Sequence, residues 1–282
     1  MPHNPGLHRW LNRLLLVLFL VQMLMPIAGL VVFSTQDDKG HFSLAVYARL
    51  FANQGFQHAF ERSAVISLLT VILSIVLLTP PIWYAYMHHP RILRFLTAVS
   101  YLPFVLPAVV LGLGYVQFFS NPPLALAGTP DLLPFAFTLL AMPFYLQAVL
   151  NRLQFMDAKT FQEAAESLGS STWQSWLLVH LPLLRPGIIN GSVLVFSMSM
   201  GEFAITQLTT GGSFISLPIA LQVAFGNDPV GGSAMAVLVF AIAAAAVFVV
   251  LVGNPLSRVR RARTAVALEA GPSGLNRTKR GA

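Results

Sequence analysis

The sequence contains no cysteine, so disulfides, zinc–thiolate sites and thiol nucleophiles are excluded from the start. Charge is scarce as well. Asp, Glu, Lys and Arg make up 10% of the 282 residues, where a soluble domain carries about 25%. None of the three lysines, Lys39, Lys159 and Lys279, closes a G-x-x-x-x-G-K-[ST] phosphate loop. The chain therefore has no ATP site of the P-loop kind, and an enzymatic role is not expected of it. The seven histidines (His3, His8, His41, His58, His88, His89 and His180) form no H-E-x-x-H pair and leave the apolar blocks empty. An intramembrane hydrolase built on Ser/His, paired Asp or zinc has no constellation to stand on, and no metal site is expected.

What the chain does have is apolar length. It is 56% hydrophobic, with a mean hydropathy of +0.71. Six blocks reach the roughly 20 residues that a bilayer-spanning helix needs: residues 14–33, 64–86, 95–119, 132–150, 188–208 and 233–253. The expected fold is all-α, a polytopic membrane protein of six transmembrane helices. Pro80, Pro81, Pro103 and Pro107 interrupt the second and third blocks, as bilayer helices tolerate when neighbours satisfy the freed backbone groups. Arg9 and Arg13 before the first block resemble a signal-peptide start, but the block is longer than a signal core and no small-residue cleavage site follows before Ser34. It is read as a retained helix.

Fourteen of the 17 Lys and Arg residues fall in one set of loops and tails; Lys39, Arg49 and Arg62 make up the other set. By the positive-inside rule both termini are cytoplasmic, as are the loops after the second and fourth blocks. The net charge of +7 is then a matter of topology. The domain reading is a cytoplasmic segment 1–13, a six-helix domain 14–257 and a basic, disordered cytoplasmic tail 258–282 beside anionic lipid. Nucleic-acid binding has no motif behind it.

The loop between the fourth and fifth blocks, residues 157–187, reads DAKTFQEAAESLGSSTWQSWLLVHLPLLRPG. Thr160 followed by Glu163 has capping-box spacing, which predicts a helix starting there. Phe161, Ala164, Ala165 and Leu168 recur at helical spacing as one narrow apolar face. Gly169 suits the left-handed residue that ends a helix. A second helix is expected from near Ser171 through Trp173, Trp176 and Leu177, stopped by Leu181-Pro182. Small alanines and large tryptophans on a cytoplasmic loop suit docking to a protein partner.

These residues carry a resemblance. Glu163-Ala164-Ala165, three residues, Gly169, nine residues, Val179, one residue and Leu181-Pro182 resemble the EAA loop of binding-protein-dependent ABC importer permeases of type I. Val179 stands where that pattern has isoleucine. Met142-Pro143-Phe144, Leu153 and Asp157 resemble its run-in, and Arg62-Ser63 departs from the Asn-Ser of many relatives. The resemblance implies that the loop is a pair of coupling helices seated in a cleft of a separate ATPase subunit, which holds the ATP and Mg. Closure of two ATPases would then switch the spans between inward- and outward-facing states, with Glu163 and Gly169 the most sensitive positions. It further implies a second permease subunit (a heterodimer favoured, a homodimer possible), an extracytoplasmic substrate-binding protein, and a place in the inner or plasma membrane.

Glu202 is the one ionisable residue well inside a block, and such residues face protein or water. Gly191, Ser199, Glu202, Thr206 and Thr209 share helical spacing, which predicts a polar stripe along the fifth span. Ser199, Glu202 and Thr206 are its expected substrate-pathway residues. The stretch Gly201-Glu202-Phe203, Thr210-Gly211-Gly212-Ser213 and Leu217-Pro218 resembles the spermidine/putrescine-type branch, and iron(III), thiamine, phosphonate and oxyanion importers share much of it. The competing class is an ion-gradient-coupled secondary carrier, which normally needs more intramembrane ionisable residues than this. A structural scaffold would leave the loop spacing unexplained.

Overall fold

A computed structural model describes residues 5–36 and 41–253. The expected basic tail, Lys39 and the first residues of the N-terminal segment lie outside the described residues. Among the described residues the chain is helical, with one isolated β-bridge between Gln36 and Phe42. In order come α1 (Pro5–Ser34), α2 (Ala45–Ala52), α3 (Gln54–His88), α4 (Pro90–Ser100), α5 (Leu102–Val105), α6 (Ala108–Phe119) and α7 (Leu133–Phe155). Then follow α8 (Ala158–Ser167), α9 (Thr172–Gln174), a π-helical stretch Ser175–His180, α10 (Leu181–Met200), α11 (Ala204–Thr210), α12 (Leu217–Asn227) and α13 (Pro229–Gly253).

Among the described residues, four helical runs are long and apolar enough to cross a membrane: Trp10–Ser34, Gln54–His88, Pro130–Phe155 and Thr172–Met200. The expected third span is broken instead. Pro90–Val105 and Ala108–Phe119 meet at 105°, making a fifth span only if the bent pair counts as one. Leu106 precedes Pro107, and a residue before proline is pushed out of the helical region, which ends the first limb there. The sixth expected span lies within α13, where the described apolar stretch, Pro229–Ala245, is shorter. The expected outer loop 209–232 contains α12, started by Ser216 in extended conformation with proline in its first turn. Gly211 and Gly212 take positive φ at its approach, whereas Gly231 and Gly232 are helical in α13.

The chain divides into two compact units. The first comprises the described residues up to Leu73, Leu102–Leu140 and Phe196–Ala243. One of its cores gathers Val46, Leu50, Phe56, Met200, Leu217, Ala234 and Met235; another joins Ile66, Leu133, Ala136, Phe137 and Ile205. Helix α1 presents Leu16, Leu18 and Phe19 outward, each 60% exposed. A helix that is apolar all round is stable only against lipid or another apolar surface.

The second unit comprises Ser74–Tyr101, Ala141–Val195 and the described residues from Ala244 on. Tyr145, Leu146, Val149, Leu153 and Leu184 are fully buried in it. Gly187 and Gly191 let α10 lie against α7 there. A Cβ on Gly187 would stand 2.6 Å from Arg152 Cβ, and one on Gly191 would stand 2.8 Å from Tyr145 Cδ2. Two glycines four apart form the small-residue contact that bilayer helices use for close packing.

Candidate functional site

The loop after α7 starts with a turn that the sequence did not disclose. Asp157 takes the left-handed conformation (φ 48°, ψ 57°), and Thr160 Oγ1 donates to Asp157 Oδ2 at 2.7 Å. Helix α8 therefore begins at Ala158, and the expected capping box of Thr160 and Glu163 does not form. Glu163 lies in the middle of the helix with its side chain exposed, and Ala164 is exposed beside it. The capping box forms at the second helix instead: Ser171 Oγ accepts from Gln174 N at 3.3 Å, and Gln174 Oε1 accepts from Ser171 N at 3.0 Å.

Between them Gly169 ends α8 at φ +80°. Its N–H donates to Glu166 O at 2.9 Å, and Ser170 N donates to Ala165 O at 3.0 Å. This pair of bonds is the Schellman arrangement, which needs a left-handed residue at that point. The second helix starts near Ser171, as expected, but Leu181-Pro182 does not stop it. The π-turn carries it into α10, with Leu181 N donating to Trp176 O. The wider i→i+5 turn falls immediately before Pro182, whose ring would clash with the i−4 carbonyl of a regular α-helix.

The apolar face of α8 is divided, with Phe161, Ala164 and Leu168 outward and Ala165 inward. Ala158, Gln162 and Ala165 are buried. Phe161 is 45% exposed and Leu168 89% exposed. Trp173, Leu177 and Leu178 continue this exposed apolar surface. Val179 and Leu181 are half-buried, and Pro182 is exposed. Next to it a groove of about 460 Å³ is lined by Pro80, Pro81, Trp83, Tyr84, Trp173 and Trp176. Of the expected coupling residues, Glu163, Ala164 and Gly169 thus share the exposed side, while Ala165 anchors the helix from beneath.

The expected pathway residues lie in the first unit. Helix α10 ends at Met200, and the chain leaves helical geometry over residues 201–203 before α11 begins. The continuous polar stripe is therefore interrupted. Glu202 is half-buried and its Oε1 accepts from Ile205 N at 2.7 Å, capping the new helix. Thr206 is buried, with its hydroxyl donating to Glu202 O at 3.1 Å. Ser199 is buried, and its hydroxyl has no hydrogen-bond partner among the described residues.

Ser63 has a structural task that sequence reasoning left open. Its Oγ accepts from Leu217 N at 2.7 Å, tying α3 to the first turn of α12, while Arg62 lies over the Phe214 ring at 5.9 Å. Ser63→Ala leaves a buried N–H unpaired, which costs about 1–3 kcal/mol. The expected result is a lower thermal unfolding midpoint in detergent for Ser63→Ala, with Ser63→Thr close to the native value. Equal midpoints for all three chains contradict the assignment.

Apolar helices of membrane length define a polytopic membrane protein, and the helix–glycine–helix loop after α7 is exposed on it. The chain belongs to the family of binding-protein-dependent transport system inner membrane components, whose sequence profile matches residues 78–261. It is thus a permease component of a binding-protein-dependent ABC importer, a class that works with an ATPase and a substrate-binding protein. A Salmonella typhimurium (strain LT2) permease protein, PhnV, provisionally assigned to 2-aminoethylphosphonate transport, is 29% identical over 80% of this chain and 87% of its own length. The molybdenum transport system permease protein ModB of Escherichia coli K12 is 31% identical over 60% of this chain and 79% of its own. ModB of Mycobacterium tuberculosis is 30% identical over 59% and 67%. Among solved structures, a bacterial ABC transporter involved in the import of the acidic polysaccharide alginate aligns with a TM-score of 0.52 at 17% identity, covering 89% of this chain and 96% of that one. The likeness is one of fold.

Proposed function

We propose that residues 157–187 are the coupling loop through which a separate ATPase drives this permease, with both termini on the ATPase side of the membrane. The observation that carries this reading is the exposed apolar side of α8 and α9 around Glu163 and Gly169. Water does not stabilise such a surface, and a partner's cleft does. The test is purification of the tagged chain from native membranes in mild detergent. The expected result is an ATPase subunit bound at the loop; a chain that transports on an ion gradient with no ATPase bound overturns the reading.

For the substrate, a small oxyanion delivered by an external binding protein is the reading favoured here over a polyamine. The polyamine reading rested on the resemblance of the stretch from Gly201 to Pro218, with Glu202 as its one carboxylate, and one oxygen of that carboxylate is engaged by Ile205 N. PhnV and ModB, both similar to this chain, bear names that refer to phosphonate and molybdenum. The heterodimer expectation leaned on polyamine systems, so a second copy of this chain stands equally as the partner permease. Uptake of 2-aminoethylphosphonate, molybdate and putrescine by cells dependent on this chain separates the substrate readings, and putrescine uptake alone restores the earlier one.

Ser199, Glu202 and Thr206 are proposed to flank the pathway at the break between α10 and α11, since non-helical backbone at membrane depth is tolerated only where it is buried in protein or lines a water-filled cavity. Glu202→Gln keeps an acceptor for Ile205 N and removes the charge. Assembly with the ATPase is expected to persist while transport changes about several-fold, the scale of one displaced charge near a path. Unchanged transport kinetics remove Glu202 from the pathway.

A further inference from the structure

The second unit contains a buried polar chain that the coupling-loop reading does not use. Gln162 points inward from α8, and its Oε1 lies 2.8 Å from His180 Nε2. Its Nε2 donates to Glu166 Oε1 at 2.7 Å. A carboxylate only accepts, so the amide must present its NH₂ to Glu166 and its oxygen to His180. The amide oxygen only accepts in turn, so His180 Nε2 carries the proton. In the neutral ring Nδ1 is then a bare acceptor, and it has no hydrogen-bond partner among the described residues. A lone buried acceptor is better tolerated than a lone donor.

His180 is fully buried at the last position of the π-turn, immediately before α10. Its ring lies 5.4 Å from that of Trp83 on α3, and Trp83 lies 4.8 Å from Trp176. One continuous set of contacts therefore runs from the exposed Glu166, through Gln162, to the root of α10 and on to α3.

We infer that the Gln162–His180 hydrogen bond is a strut that makes α8 and the root of α10 move as one body. The inference rests on the coupling-loop reading. Backbone continuity alone does not give this rigidity, because Gly169 and the π-turn separate the two helices. A docked helix that rolled on its own axis would absorb the partner's motion. Gln162, with both ends of its amide engaged and facing a fixed tautomer, has one orientation and resists that roll. Gln162 and His180 are positioning residues, acting through the helices they join.

The cysteine-free chain allows a direct test. Exposed Ser167 and Ile189, replaced by cysteine in the full complex with its ATPase, accept nitroxide labels on α8 and α10. Pulsed electron resonance then gives the distance between them, without nucleotide and after trapping with ATP and vanadate. The expected native result is one narrow distance, the same in both states. His180→Phe keeps a ring beside Trp83, and Gln162→Met keeps the side-chain length; each removes the bond. In either variant the distribution is expected to broaden to about twice its native width, as the element that joined the two helices is lost. His180→Gln, which can donate the same bond, is expected to restore the narrow distance. Unchanged widths in both bond-deleting variants overturn the strut, as does broadening that His180→Gln fails to reverse or a native distance that shifts on trapping. The docking reading fails separately: an ATPase retained by a Gly169→Arg chain sinks that reading, while the nucleotide-free widths still judge the strut alone.

Discussion

Replacing Gly169 by arginine is expected to remove the ATPase from the purified complex, whereas asparagine at the same position keeps it. The two outcomes separate conformation from contact. A Cβ at Gly169 would meet nothing within 4 Å, so steric crowding inside the chain plays no part. What remains is the backbone, held at φ +80° by the two bonds that close α8. An L-residue pays about 1–2 kcal/mol to sit there, and asparagine pays the least among non-glycine residues. Alanine is therefore expected to lower the ATPase-to-permease ratio about several-fold, through a turn that frays. Arginine adds a charged side chain projecting from an exposed turn beside Leu168 and Trp173, and the ratio is expected to fall to background. If alanine and arginine act equally, the loss comes from the turn alone, and the surface around Gly169 is not in the contact.

That glycine was legible in the sequence because its reason is local. So were four of the six apolar blocks, the second helix at Ser171 and the small-residue loop between the fourth and fifth blocks. Other features were not, each for a physical reason. Thr160 and Glu163 have the right spacing for a capping box, but Asp157 turns left-handed first and Ala158 is already helical. Spacing cannot tell which of two nearby polar residues begins a helix. The stripe of Phe161 and Leu168 has core periodicity and is exposed. Periodicity marks an apolar face without saying whether the chain itself or another molecule covers it. The helix break at residues 201–203 was also hidden. Gly201 is a weak helix breaker in an apolar run, and only the bond from Ile205 N to Glu202 reveals that a new helix starts. Gln162 and His180 could have been suspected from a histidine two residues before a proline in an apolar segment, but their pairing needs coordinates.

The second large effect is expected at the crossing of α7 and α10. The Gly187 and Gly191 pair was visible in the sequence as a G-x-x-x-G and went unused. At Gly187 a Cβ would stand 2.6 Å from Arg152 Cβ and 3.2 Å from the Ala148 carbonyl, neither of which can swing aside. At Gly191 it would strike the Tyr145 ring. That ring is fully buried, and its hydroxyl lies 2.6 Å from Thr79 Oγ1. Overpacking of this kind costs about 1–3 kcal/mol for a small addition and more for a large one. Gly187→Ala and Gly191→Ala are each expected to lower the unfolding midpoint in detergent, and leucine at both positions to prevent a folded chain from being recovered. The rescue pattern decides the cause. Tyr145→Leu vacates the space that a methyl at 191 needs, so it should recover much of the Gly191→Ala loss. It does nothing for Arg152 Cβ, so the Gly187→Ala loss should stand. Because α8 and α9 spring from the ends of these two helices, a crossing forced open is also expected to change the footing of the proposed coupling loop. A Gly191→Ala chain that unfolds early but recovers both stability and ATPase binding with Tyr145→Leu ties the two together. Recovery of stability without ATPase binding shows that the loop senses the crossing angle itself, beyond mere foldedness.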